Sequence, residues 1–359
     1  MPSQQNVLAA LSKVQEPELH KDLVSLNMVH AIRIDGGAVE FTIRLTTPAC
    51  PLKHQIEREC VLAVGAIPDV TGVKVRFDAN TARDTRLANL PVRNIVAVGS
   101  GKGGVGKSTT AVNLAIALKQ QGARVGLLDA DIYGPNIPLM MGVKGSRPNV
   151  SGGKLVPVQA HGLQLMSMGF LLGVDQPAIL RGPMLHKALE QFIRDVAWSD
   201  CDYLIVDLPP GTGDVQLSLS QIAPMTGAVV VTTPQDVALE DVRKSIYAFK
   251  SMSVPVLGVI ENMSYFIAPD TGRRYDIFGH GGGQRMAGAL GVPFLGEVPI
   301  DQAIREGGDH GLPIVAGEPG GAHALAYQAI ASALAAKISV MNAQRAMPGF
   351  IALDMIPIG

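Results

Sequence analysis

The chain has 359 residues, which suits one large domain and a smaller one better than a single small fold. Charged residues make up 17% and hydrophobic residues 47%, a balance that implies a large interior or a buried subunit interface, so a homodimer is the expected state. With a formal net charge of -1, nothing global draws the chain to nucleic acid or to an anionic membrane, and neither is an expected partner.

The N-terminus MPSQQNVLAALSKVQEPELH lacks the segments of a signal peptide, and no run approaches the roughly 20 apolar residues of a membrane span, so the expected location is the cytoplasm. An N-terminal helix leads to Asp35-Gly36-Gly37, a hairpin turn before VEFTIRL at 39–45, which alternates apolar and polar as a half-buried strand does. VKVRF at 73–77 repeats that pattern. Between the two, Pro51 is expected to open a helix running to about Val64, because proline is tolerated at a first helical position. Residues 1–80 therefore read as a small α/β domain. ANTARDTRLANLPVR has no sustained period, and 81–93 reads as a linker.

From Asn94 the pattern changes to short apolar strands alternating with helices: 95–99, 124–129, 203–207, 228–232 and 255–260. Strands that are apolar throughout imply a mostly parallel, doubly wound sheet covered on both faces, with ligands at the strands' carboxyl ends. This second domain spans 94–340. The stretch 341–359, mixed in methionine, proline and glycine, reads as a peripheral tail.

GKGGVGKS at 101–108 follows the first of these strands and precedes the helical run KSTTAVNLAIALKQQ, which Gly122 can end. This is the G-x-x-x-x-G-K-S loop, whose amides and helix dipole cradle phosphates. Gly101, Lys102, Gly103, Gly104, Val105, Gly106, Lys107, Ser108 and Thr109 are expected to surround ATP, with Lys107 on the β- and γ-phosphates and Ser108 on Mg²⁺. Asp207, at the tip of YLIVD, is the second expected Mg²⁺ residue. Gly211, in the following PPGTGD, is a candidate amide donor to the γ-phosphate. Of the two carboxylates in DADIYGPN, Asp131 is preferred over Asp129 as the group that orients the attacking water, because it lies farther into the loop.

KGGVGKST, DADIYGPN, DLPPGTGD, QPAILRGPM and ENMS at 261–264 together resemble the Mrp (ApbC-type) iron-sulfur cluster carriers, within the MinD/ParA class of P-loop ATPases. The small domain, with TTPACP at 46–51, resembles iron-sulfur assembly factors. The resemblance implies that Lys102 reaches the partner subunit's ATP across a homodimer as a catalytic group, that Asn262 contacts adenine, and that clusters pass to apo iron-sulfur proteins with the help of assembly factors. It also implies a CPxCG run after ENMS that holds a [4Fe-4S] cluster. Here that run is APDTG at 268–272, with Ala268 and Thr271 at the ligand positions and only Asp270, a hard oxygen donor, nearby.

Cys50, just before the expected helix, should have a depressed pKa, and its reading stays open between a structural role and a thiol that handles iron. Cys60 and Cys201 read as core residues, and three cysteines so far apart make neither a disulfide framework nor a zinc site. His54, His161 and His186 lack metal-ligand spacing, and His280 in FGHGGG reads as an exposed turn residue. Two other functions fit the same loop. One is a MinD- or ParA-like positioning switch, disfavoured by a final stretch, AMPGFIALDMIPIG, without lysine; the other is a nucleotide-regulated scaffold.

Overall fold

The computed structural model describes residues 1–132, 134–171, 182–211 and 213–346. Its contacts divide into two units, Met1–Ala82 with the chain from Ala335 on, and Arg83–Leu334.

In the first unit, Ser3 caps the opening helix Gln4–Leu11 by accepting from the Asn6 amide at 3.2 Å. The strands Val29–Asp35 and Ala38–Leu45 pair antiparallel through the two-residue turn Gly36-Gly37, where Gly36 takes a φ of 57°. Val39, Phe41, Ile43 and Leu45 alternate inward, as the period of two requires. They meet Ile56, Cys60 and Val64, one stripe of the helix Lys53–Gly65. Gly72–Ala79 joins the sheet in parallel. The helix starts two residues later than Pro51, because Pro51 and Leu52 form one more turn of loop.

Eight strands build the sheet of the second unit, in the order Val158–Ala160, Leu163–Ser167, Val125–Asp129, Tyr203–Asp207, Ile95–Ser100, Gly227–Thr232, Val256–Glu261 and Phe294–Glu297. All neighbours are parallel except the first pair. The five inner strands are buried almost throughout, which is why their sequences are apolar without alternation. The three outer strands escaped the sequence reading because they are short and mixed in polarity. The helix Lys107–Gln120 is buried from Thr110 to Leu118, and Gly122, at a φ of 97°, turns the chain out of it.

Three expectations change. Residues 83–93 of the stretch read as a linker are part of the second unit: Leu87 and Val92 are fully buried, and Asp84, also buried, chelates Arg86 at 3.0 and 2.7 Å. Arg86 in turn donates to the Met225 carbonyl at 2.8 Å. The tail does not begin at Met341, since the helix Ala322–Ala346 continues past it. Its last turns bond to the small unit, Ser339 to Thr46 at 2.6 Å and Asn342 to the Ala82 carbonyl at 3.1 Å. That helix is also long and apolar enough to cross a membrane, which the sequence reading overlooked. Half of its apolar stretch is buried inside the protein, so core packing accounts for its composition. Most of the run QPAILRGPM, and the chain after Ala346, lie outside the described residues.

Asp84→Ala should lower stability by about 2 kcal/mol, because it leaves the Arg86 amide without its acceptor and the guanidinium without its counter-charge, with the Met225 carbonyl alone. A urea midpoint equal to that of the unmodified chain would restore the linker reading.

Candidate functional site

The strand register determines what stands at the carboxyl end of the sheet. Ser167 pairs with Asp129 and Asp129 with Asp207, so three polar residues end in one row on one side of the phosphate-loop strand. On the other side Glu261 pairs with both Thr232 and Glu297.

The loop leaves the strand at Ser100, whose hydroxyl donates to the Lys102 carbonyl at 2.9 Å. It closes through Gly104 and Gly106, at φ of 82° and 80°, conformations that glycine adopts without strain. A Cβ on Gly106 would also collide with the Asn262 amide group. Asn262 is buried at the end of its strand and donates to the Val105 carbonyl at 2.8 Å, which ties the loop to the neighbouring strand.

Lys107, only 7% exposed, places Nζ 2.7 Å from Asp207 Oδ1, 3.1 Å from Ser108 Oγ and 3.6 Å from Asp131 Oδ2. Ser108 donates to Asp207 Oδ2 at 2.6 Å. Burial raises the Asp207 carboxyl above its ordinary range, and the Lys107 ammonium opposes that. A hydroxyl and a carboxylate this close form the hard oxygen donor set that suits Mg²⁺. Lys102 is half-buried on the same wall and forms no ion pair among the described residues.

Asp129 and Asp131 differ in setting. Asp129 is fully buried, accepts from Ser167 Oγ at 2.9 Å and from the Asp131 amide at 3.2 Å, and is pushed up to about 8 by burial and by the Asp207 charge. Asp131 lines the cavity. Gly211 does not offer its amide to that space: the N–H goes to the Ser100 carbonyl at 2.9 Å, and Gln216 holds the Gly211 carbonyl at 2.7 Å. The candidate role of Gly211 as a phosphate donor is therefore corrected in this geometry.

The cavity has a volume of 870 Å³. Phosphate-loop residues, Lys107 and Asp131 line it at one end, and Met263, Ile277, Phe278, Pro299, Ile300 and Ile304 line it elsewhere. The apolar part and the braces Ser167 and Gln216 were missed in the sequence, since no fixed spacing announces them.

No cysteine is activated. Cys50 is half-buried, and burial, with Glu18 and Glu16 adding to it, pushes its thiol up to about 11 although the Leu52 and Lys53 amides face it. This overturns the expected depression. Burial takes Cys60 and Cys201 up to about 12, and Cys201 lies at the amino end of its strand, donating to the Tyr203 carbonyl. Ala268 and Thr271 sit on a small turn closed by bonds from the Gly272 amide to the Ala268 carbonyl and from the Ala268 amide to the Arg273 carbonyl.

A parallel sheet whose central strand runs into a glycine loop, with a buried lysine, serine and aspartate around it, defines a P-loop NTPase. The family described as NUBPL iron-transfer P-loop NTPase matches residues 91–335, and the family described as iron-sulfur cluster assembly protein matches residues 4–75. An iron-sulfur cluster carrier protein of Synechocystis is 53% identical over 93% of this chain and 97% of its own length. One from Escherichia coli K12 is 41% identical over 92% and 91%. Among solved structures, a nucleotide-binding protein of Archaeoglobus fulgidus, in complex with ADP and with Co, is 38% identical. It has a TM-score of 0.57 over 64% of this chain and 92% of its own. The Pyrococcus furiosus cell division ATPase MinD, 24% identical with a TM-score of 0.50 over 67% and 97%, shares the fold. The chain belongs to the iron-sulfur cluster carrier proteins of the P-loop NTPase class.

Because the Asp129 pKa is raised on folding, its contribution to stability is complete below about pH 4 and is lost as pH climbs toward about 8. Asp129→Asn, which can accept from the Asp131 amide and donate to Ser167, should flatten the decline between pH 5 and 8. Parallel stability curves for the two proteins would rule out a protonated Asp129.

Proposed function

We propose that the chain is a homodimeric ATPase of the cytoplasm that couples ATP binding and hydrolysis to delivery of iron-sulfur clusters to apoproteins, working with assembly factors. The observation that carries the nucleotide half is that Lys107, Ser108 and Asp131 line one cavity, with the buried Asp207 bonded to Lys107 and Ser108 behind them.

Lys107 exchanges its contact with Asp207 for the β- and γ-phosphates of an entering ATP. Ser108 and Asp207 would hold Mg²⁺, and the ion would supply neutralisation of phosphate charge there. Asn262 keeps the loop in place with its Nδ2, and its Oδ1 accepts from the exocyclic amine of adenine, while the apolar residues cover the base. Asp131 orients the attacking water; Asp129, held neutral and away from the cavity, does not. Lys102 completes the site of the partner subunit, so that turnover depends on dimerisation. The cluster, as cargo, needs ligands other than the usual pair, since Ala268 and Thr271 offer no thiolate.

Lys107→Ala should abolish nucleotide binding or hydrolysis, and Asp131→Ala should bind ATP but turn it over at least tenfold more slowly. Unchanged steady-state ATPase in both would refute the site. Lys102→Ala should reduce turnover with little loss of affinity, whereas equal loss of both would place Lys102 in its own subunit's cradle.

Anaerobic reconstitution with iron and sulfide, followed by visible absorption and transfer to an apo-acceptor, tests the cargo. The expected result is a transferable cluster that Cys50→Ser retains, given the raised thiol. Absence of cluster and of transfer would favour a nucleotide-regulated scaffold.

A further inference from the structure

We propose that Glu261, His280 and Glu297 form a site for one divalent first-row transition ion, with iron(II) as the ion that the carrier reading would place there. Only that last choice rests on the carrier reading; the site itself is argued from geometry.

The three side chains come from three elements and offer ligand atoms that all lie within 4.8 Å of one another. Glu261 and Glu297 are register partners at the ends of adjacent strands. Glu261 is fully buried, and its carboxylate is fixed by the amides of Gly281 at 3.2 Å and Gly283 at 2.6 Å, at the start of the helix Gly282–Leu290. The glycine turn that supplies those amides carries His280 to the same place.

Ser264 Oγ lies 2.6 Å from Glu261 Oε1 and 2.9 Å from Glu297 Oε2, so one hydroxyl proton is shared between two carboxylates. The deficit of positive charge is met by Arg274, which stacks on Tyr265 with its guanidinium carbon 4.0 Å from the ring centre. Its Nη1 is 3.5 Å from Glu297 Oε1 and its Nη2 is 2.7 Å from His280 Nδ1, while Nε turns outward to Asp276 at 2.9 Å. Arginine can only donate, so the short contact requires Nδ1 to present its lone pair. A ring nitrogen lone pair is thus aimed at a cation beside a carboxylate, with Nδ1 3.7 Å from Glu297 Oε2. That is the state in which histidine ligates a metal.

Two carboxylates and an imidazole suit Fe²⁺, Co²⁺ or Zn²⁺ better than soft Cu⁺ or the all-oxygen preference of Mg²⁺. Arg274 stands on the strand Arg274–Tyr275 of the short hairpin whose turn carries Ala268 and Thr271, and it is 40% exposed, so it can leave when the ion enters. The arginine is a tethered substitute for the metal, and the two compete.

Titration of the nucleotide-free full chain with Co²⁺, without sulfide, tests this by visible ligand-field absorption. One equivalent should bind. His280→Asn should weaken binding at least tenfold, Glu297→Gln comparably, and Arg274→Gln should tighten it; Fe²⁺ in large anaerobic excess should compete with Co²⁺, the tighter-binding of the two ions. Excess Mg²⁺, which prefers an all-oxygen set, should leave the titration unchanged, which separates this site from the Ser108 and Asp207 oxygens of the nucleotide site. A spectrum that persists in His280→Asn, absence of any ligand-field band, or weaker binding in Arg274→Gln would each overturn the proposal and leave an ion-pair network around Arg274.

Discussion

The parallel register of the central sheet is the constraint on which the rest depends. It brings Ser167, Asp129 and Asp207 into one row and Thr232, Glu261 and Glu297 into another, at the end of the sheet where the chain turns into glycine loops. Three of these carboxylates, Asp129, Asp207 and Glu261, have no solvent exposure. A buried carboxylate must find protons, donors or a cation. The structure uses all three answers: burial that favours the protonated form of Asp129, backbone amides on Glu261, and the Lys107 ammonium on Asp207.

Lys107 illustrates why such a pair belongs to function more than to stability. Desolvating an ammonium and a carboxylate offsets most of their attraction, so the pair contributes little net stability. Its value lies in exchange. The ammonium neutralises Asp207 beside the hydroxyl of Ser108, and a nucleotide that draws Lys107 away frees two oxygen donors side by side. On the proposed reading, phosphate capture and metal capture are linked through one side chain. Asn262 adds a brace from a further strand of the sheet to the same loop.

Much of this was legible in the sequence. The strand–loop–helix setting of GKGGVGKS, the apolar strands and the terminal aspartates follow from spacing and composition alone, because close backbone approach and two-sided burial leave few residue choices. What escaped was set by contacts distant in sequence. Cys50 looked activated from its position before a helix, yet the burial and the two nearby glutamates that raise it belong to its tertiary surroundings. Gly211 looked like a phosphate donor until Ser100 claimed its amide. Likewise, nothing in FGHGGG alone shows that His280 stands beside Glu261 and Glu297, since the meeting depends on strand order. The family's usual ligand run could be seen to be missing, but its absence says nothing about what replaces it.

The helix Ala322–Ala346 begins in one contact unit and ends in the other, so the small unit is discontinuous along the chain. Its first 82 residues are therefore an incomplete piece. Excised alone, they would lose the Ser339 hydroxyl that bonds Thr46 and the Asn342 amide that bonds the Ala82 carbonyl, both supplied from more than 250 positions away. The growing polypeptide can make the small unit's sheet early, but it cannot finish that unit until nearly the whole P-loop unit has left the ribosome. Completion of the amino-terminal unit is thus a late event in the life of the chain, and a truncation near the carboxyl terminus would damage the opposite end of the protein.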